Sequence, residues 1–186
     1  MIGYAFCGSF CTFSRSLAVL SRLIEAGEEV LPIMSENAYT TDTRFALAGE
    51  FSRRVEQLCG REIVHTVKDA EPLGPSVPLE SLIIAPCTGN TLAKLAAGIT
   101  DTSVTMAAKA HLRQDRRLII ALASNDAMSQ NLGNIARLIT RRSVYFVPLL
   151  QDDPTKKPHS LVADFERIPE ALSAARECRQ LRPLFL

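Results

Sequence analysis

Four short segments carry most of the residue types able to engage a ligand. They are Gly8-Ser9-Phe10-Cys11-Thr12, Ser35-Glu36-Asn37, Cys87-Thr88-Gly89-Asn90-Thr91 and Ser124-Asn125-Asp126. Glycine, hydroxyl and amide residues dominate them, and each follows an apolar run. Such segments present backbone N–H groups and neutral donors, which beside a helix N-terminus suit an anion such as a phosphate monoester. One segment alone reads as a cap or a turn. Four brought to one edge of a sheet point to a binding site for a polar, phosphorylated ligand.

Other chemistry is sparse. Cys87 and Asn90 are the two catalytic candidates. A helix N-terminus lowers a thiol pKa, which favours Cys87 as a reactive group, and a buried packing residue is the competing reading. Glu36 reads as a solvated carboxylate, with a general-base or ribose role as the alternative. The three histidines, His65, His111 and His159, fall in no nucleophile or metal motif. His111 reads as a solvated helix end beside Lys109. Five cysteines, an odd number with no Cys-x-x-Cys pair, predict reduced thiols and no metal site. The glycines spell neither G-x-G-x-x-G nor a phosphate loop ending in Gly-Lys-Ser/Thr. A net charge of +1 implies no broad basic face for nucleic acid. No apolar run reaches membrane-spanning length, and Met1-Ile2-Gly3-Tyr4 does not open a signal peptide. A cytoplasmic protein is expected.

The elements that must position these segments alternate along 186 residues, a length suited to one domain. Apolar runs at Ile2–Phe6, Val30–Met34, Leu82–Ala85, Leu118–Ala123 and Val144–Leu149 read as strands buried on both faces. Pro86 is expected to stop the third. Helical spacing of apolar residues predicts helices from Ser14 to Gly27 and from about Thr43 to Leu58. The second buries Phe45, Phe51 and Val55. Further helices are expected over Thr91–Ala97, from an Asp101 cap to about Leu112, and over Ser129–Thr140. The last of these should face Leu132, Ile135, Ala136 and Ile139 inward. A helix from Pro169 to about Leu181 closes the chain. The Pro-rich, charged stretch 151–160 reads as a loop serving as a surface, a lid or a partner contact. The order predicts a three-layer, Rossmann-like (flavodoxin-like) α/β fold, a doubly wound parallel sheet in a single domain spanning 1–186.

The segment Ala85-Pro86-Cys87-Thr88-Gly89-Asn90-Thr91-Leu92-Ala93-Lys94 resembles the Pro-Ala-Ser-Ala-Asn-Thr motif of the flavoprotein superfamily, the homo-oligomeric flavin-containing cysteine decarboxylases. Pro86, Asn90, Thr91 and Lys94 match directly. Ala97-Gly98-Ile99-Thr100-Asp101 matches the small-Gly-x-x-Asp segment that follows. The resemblance implies flavin mononucleotide (FMN), with phosphate at Gly8, Ser9 and Ser35 and a flavin contact from Asn90. The implied cofactor set is Gly8, Ser9, Phe10, Ser35, Pro86, Cys87, Thr88, Gly89, Asn90, Thr91, Ser124 and Asn125. It also implies a homo-oligomer, a trimer or larger.

Within the superfamily the chain is similar to the B-subunit family of dipicolinate synthase. Glu71-Pro72-Leu73-Gly74-Pro75, Thr105–Arg113, Asn125-Asp126, Val147–Pro158 and Ser160-Leu161-Val162-Ala163-Asp164 carry that likeness. It implies an oxidoreductase-type role in sporulation. With the dehydrogenase-like A subunit of dipicolinate synthase, the chain would form dipicolinate from a dihydrodipicolinate precursor in the mother cell. A dicarboxylate substrate needs cations, and Lys94, Lys109 and Arg113 are the candidates. The sequence departs from the decarboxylases in two places. No His-apolar-x-apolar segment precedes the third core strand, since His65 leads into Thr66-Val67-Lys68-Asp69. Ala123-Ser124-Asn125-Asp126-Ala127-Met128 replaces a Pro-Ala-Met-Asn run. The alternatives are a non-catalytic partner that stabilises the A subunit and keeps a vestigial phosphate pocket, and a flavin-dependent decarboxylase or prenyltransferase.

Overall fold

The five apolar runs form a parallel sheet. In the computed structural model, which describes residues 1–186, β1 (Ile2–Phe6) pairs in parallel with β2 (Val30–Met34) and with β3 (Ser81–Cys87). Next, β4 (Arg117–Ser124) joins β3, and β5 (Val144–Phe146) joins β4, giving the order 2-1-3-4-5 of a flavodoxin-type sheet. All of β1, β3 and β5 is buried, as strands covered on both faces must be. Pro86 does not end β3. The strand runs through it to Cys87, with an irregularity in its pairing to β4 between Ile84 and Cys87.

Four of the helices start where an N-cap side chain satisfies a free N–H group. The first helix of the chain, α1 (Phe13–Glu25), follows a short 3₁₀ turn and so starts at Phe13, one residue before Ser14, with Thr12 as its N-cap. A short α2 (Glu36–Thr40), absent from the sequence reading, is capped by Ser35. The predicted helix from Thr43 begins later, as α3 (Ala48–Cys59). Asp42 accepts from the Ala48 N–H at 2.8 Å, and the Thr43 hydroxyl takes the N–H groups of Phe45 and Ala46. These local bonds compete with the helix and hold residues 41–47 as a folded loop. Phe45 is consequently 52% exposed instead of buried.

A helical turn, α4 (Val67–Ala70), precedes a connection that presses Gly74 against the Ala110 carbonyl. With φ of +133° and that oxygen 2.5 Å from where a Cβ would sit, only glycine fits there. Two helices follow, α5 (Gly89–Ala97), capped by Thr88, and α6 (Ser103–Leu112), which Thr102 and Thr105 cap reciprocally. Asp101 is not the cap; it pairs with Lys94 at 2.8 Å. Later elements also shift: α7 (Leu132–Ile139) starts three residues late and leaves Leu132 and Ala136 exposed. The closing helix is α8 (Ile168–Arg176), with Pro169 in its first turn, and it stops well before Leu181. Together α1 and α8 form one outer layer, and α4, α5, α6 and α7 form the other.

Residues 149–163 correct the loop expectation. They form an antiparallel hairpin of β6 (Leu149–Asp153) and β7 (Lys157–Ala163), and the sheet is therefore mixed. The hairpin docks on the carboxyl end of β4 through Ala123↔Val162 and Ser124↔Leu161. Charge and proline misled the reading, yet both are tolerated here: β6 is the sheet edge, Pro154 lies in the turn, and Lys157 and Pro158 sit in the part of β7 beyond its pairing with β4. Asp153 closes the turn by accepting from the N–H groups of Thr155 and Lys156.

His111 is buried, not solvated. Its Nε2–H donates to the Arg117 carbonyl at 2.8 Å, and Nδ1 has no partner. Burial lowers its pKa from 6.5 to about 4. The unfolded chain therefore takes up a proton that the folded one refuses as pH falls from 6.5 to 4. Over that window the depression costs about 3 kcal/mol of stability, fully felt below pH 4 and absent above pH 6.5. Urea titrations at several pH values should show this loss in the parent chain and a flatter profile in His111→Gln. Equal slopes would remove His111 from the account.

Candidate functional site

The loop after β1, the loop after β4 and the start of α5 converge on an open cavity of about 710 Å³. The hairpin forms a further wall, contributing Asp152, Lys157, Ser160 and Val162, and the 41–47 loop adds Arg44 and Phe45. This is the crevice beyond the carboxyl ends of the strands, where α1 leaves β1 toward one layer and α5 leaves β3 toward the other.

Eight of the sequence-selected residues meet there: Gly8, Ser9, Phe10, Thr88, Gly89, Asn90, Ser124 and Asn125. Ser35, Pro86, Cys87 and Thr91 do not line the cavity. Ser35 is occupied in capping α2, its Oγ accepting from the Ala38 N–H. Pro86 and Cys87 lie inside β3, and Thr91 Oγ1 accepts from the Thr88 hydroxyl at 3.0 Å. Glu36 is exposed in the first turn of α2, outside the cavity.

The backbone supplies anion-binding capacity. The N–H groups of Gly8, Gly89 and Asn90 donate to no protein acceptor. Two of them open α5, a nine-residue helix whose positive end faces the cavity. Gly89 is required by its surroundings. A Cβ there would meet Ser124 Oγ, Asn131 Nδ2 at 2.6 Å and Asp126 Oδ1 at 2.8 Å. Those three side chains form one cluster. Asn131 Nδ2 contacts both Asp126 oxygens at 3.0 Å, and the Ser124 hydroxyl donates to the same carboxylate.

The cavity's charges differ from those expected. Lys94 is paired with Asp101, while Lys109 and Arg113 lie in a different cleft. The cations present are Arg44 and Lys157. Lys157 pairs with Asp152 at 2.5 Å, and that hydrogen bond raises its pKa. Arg44 has no carboxylate partner; its guanidinium lies 4.8 Å from the centre of the Phe45 ring. Neither cation was selected from the sequence, because Arg44 fell in the helix expected from about Thr43 and the hairpin read as a loop. Asp42 and Thr43, strong side chain-to-backbone bonders, and the Asp153 turn were the signals available.

Cys87 does not become a reactive thiol. Complete burial raises its pKa well above the ordinary value, and the neighbouring Cys7 adds to the effect. Burial likewise lifts Cys7 to about 11. The helix N-terminus expected to stabilise a thiolate is outweighed by desolvation. No histidine lines the cavity. His65 stacks on Tyr39 with centroids 3.9 Å apart, just beyond Val64, which pairs with Ile33 of β2.

Comparison with known proteins agrees with this architecture. Residues 1–170 match the Flavoprotein family, and the chain belongs to that family. Among individual proteins, it is 39% identical over 185 residues to the B subunit of dipicolinate synthase from Bacillus subtilis (strain 168), covering 100% of this chain and 92% of that one. The crystal structure of the dipicolinate synthase B subunit from Bacillus halodurans C aligns with a TM-score of 0.91 at 39% identity, over 100% of this chain and 95% of that one. A dodecameric FMN-dependent UbiX-like decarboxylase from Escherichia coli O157:H7 aligns at a TM-score of 0.66 and 25% identity, over 80% and 79% of the two chains.

Two glycines give opposite expected outcomes. Gly89→Ala forces apart the Ser124–Asp126–Asn131 cluster and should cost about 1–3 kcal/mol. Gly133→Ala, on α7 with nothing within 4 Å of the new Cβ, should gain about 0.5–1 kcal/mol. Urea denaturation of both variants beside the parent measures the difference. A neutral Gly89→Ala would mean that the cluster yields freely.

Proposed function

We propose that the chain is a dipicolinate synthase B subunit that binds FMN in the carboxyl-edge cavity and acts with the dehydrogenase-like A subunit. Together they would convert a dihydrodipicolinate precursor to dipicolinate during sporulation, in the cytoplasm of the mother cell. The observation that carries the reading is the convergence of Gly8, Ser9, Gly89 and Asn90 on one cavity. It is joined by 39% identity over the whole chain to a B subunit. A homo-oligomer is part of the proposal, in keeping with the dodecameric relative.

The residues present fit FMN. The unpaired N–H groups of Gly8, Gly89 and Asn90 would receive phosphate or other polar ligand oxygens, and the cavity volume suits a mononucleotide. Asn90 and Asn125 would orient the ring edge through their amides, and Phe10 would bound its apolar side. When bound, the flavin supplies two-electron redox chemistry. Loss of two electrons and two protons from the dihydropyridine gives the aromatic product. Arg44 and Lys157 would hold the two substrate carboxylates, replacing the lysines and arginine expected from sequence. With the Cys87 thiol buried, the chain's part is to bind and orient.

Absence of histidine from the cavity favours one second reading, a partner that stabilises the A subunit and holds the pocket without using it. An absorption spectrum of the purified chain, followed by titration with FMN, tests cofactor binding. A flavin band, or saturable uptake that Asn90→Ala weakens at least about tenfold, is expected. A colourless chain that takes up no FMN would defeat the flavin assignment. Recombination with the A subunit then separates the two roles. Arg44→Gln should lower dipicolinate formation if the cavity holds substrate and leave it unchanged if the chain only stabilises its partner.

A further inference from the structure

A second concavity, of about 490 Å³, lies between the end of α5, the last turns of α6 and the turn joining α7 to β5. It shares no lining residue with the first. Its wall is basic. Lys109 in the last turn of α6 and Arg113, its C-cap, stand one helical turn apart, and Arg141 and Arg142 come from the α7–β5 turn. None of the four has a carboxylate within ion-pair distance, although many other cations of the chain do. Asp115 is the sole acid on the lining. The remaining surface includes Leu95, Leu112 and Ile99, the last 48% exposed.

Helix dipoles explain a cation at the end of α6 and another at the end of α7. They do not explain four cations converging on one hollow with an apolar floor and a single acid. Three guanidinium groups suit bidentate carboxylate or phosphate recognition. The volume is that of a small-molecule site. We propose that this cleft binds a small organic polyanion, with two or more carboxylate or phosphate charges carried on an apolar or aromatic frame. The proposal stands apart from the flavin cavity, which Arg44 and the hairpin border on another side of the molecule.

Two sources offer this chemistry, an aromatic dicarboxylate and a nucleoside diphosphate. Calorimetric titration of the full chain with pyridine-2,6-dicarboxylate, with ADP and with inorganic phosphate distinguishes them. At least one organic anion should bind saturably and about tenfold or more tighter than inorganic phosphate, because only it uses the apolar floor. The R113Q/R142Q double variant should weaken that binding about fivefold or more, while Arg53→Gln, an exposed arginine of α3 that lines neither cavity, should not. Thermal melts of the double variant, matching the parent, would exclude misfolding as the cause. The proposal is overturned if neither organic anion saturates, if inorganic phosphate binds as tightly, if the double variant falls short of that loss, or if Arg53→Gln produces it.

Discussion

The parting of α1 and α5 at the carboxyl ends of β1 and β3 is the constraint on which the site depends. Neighbouring parallel strands whose connections leave toward opposite layers leave a crevice that no side chain of the sheet can fill. Backbone N–H groups at that point have no intrahelical acceptor, so they remain free at Gly8, Gly89 and Asn90. A buried network fixes the parting. Tyr4 of β1 bonds Ser16 of α1, and Ser16 Oγ donates to the Ala85 carbonyl of β3 at 2.6 Å. The side chains of β1 and α1 thus grip β3 two residues before the loop that opens the cavity. Tyr4 stays protonated there, since burial drives its pKa far upward.

The fold was legible because burial on both faces writes itself as continuous apolar runs. Ile2–Phe6, Val30–Met34 and Leu118–Ala123 could be nothing else in a chain of this length. Polar loops after those runs were legible for the same reason. Burial that depends on distant partners was not. His111 looks like any helix-end histidine until Arg117, six residues on, brings its carbonyl to the ring's Nε2. Cys87 looks activated until β1 and β4 enclose it. Phe45 fits a helical stripe, and only the bonds from Asp42 and Thr43 show that the stripe begins later.

The same physics explains which site residues escaped the sequence. Gly89 and Asn90 stand where strand meets helix, and that junction is a local feature. Arg44, Asp152 and Lys157 reach the cavity only after a loop and a hairpin have folded over it. Their spacing along the chain carries no trace of the meeting. Charged residues in a proline-rich stretch are ordinarily solvent-facing, and here they are also solvent-facing, on a surface that happens to be concave.

The hairpin is the addition that gives a plain doubly wound edge a further wall. It is held at two places. Its β7 strand extends β4 beyond the reach of β5, which pairs only Leu118, Ile119 and Ile120. Its β6 strand is pinned from the other side by the chain's last residues: the Leu149 N–H donates to the Leu184 carbonyl and its carbonyl accepts from the Leu186 N–H. Gln180 adds bonds to both backbone groups of Phe146. The residues after α8 therefore do not trail from the domain. They brace the base of the wall that carries Asp152 and Lys157, which makes the position of those charges a property of the C-terminal segment as much as of the hairpin. An exposed ion pair such as Asp152–Lys157 contributes little stability by itself. Its placement is inherited from apolar and backbone contacts well away from the cavity, and a site built this way keeps its charges in position without desolvating them.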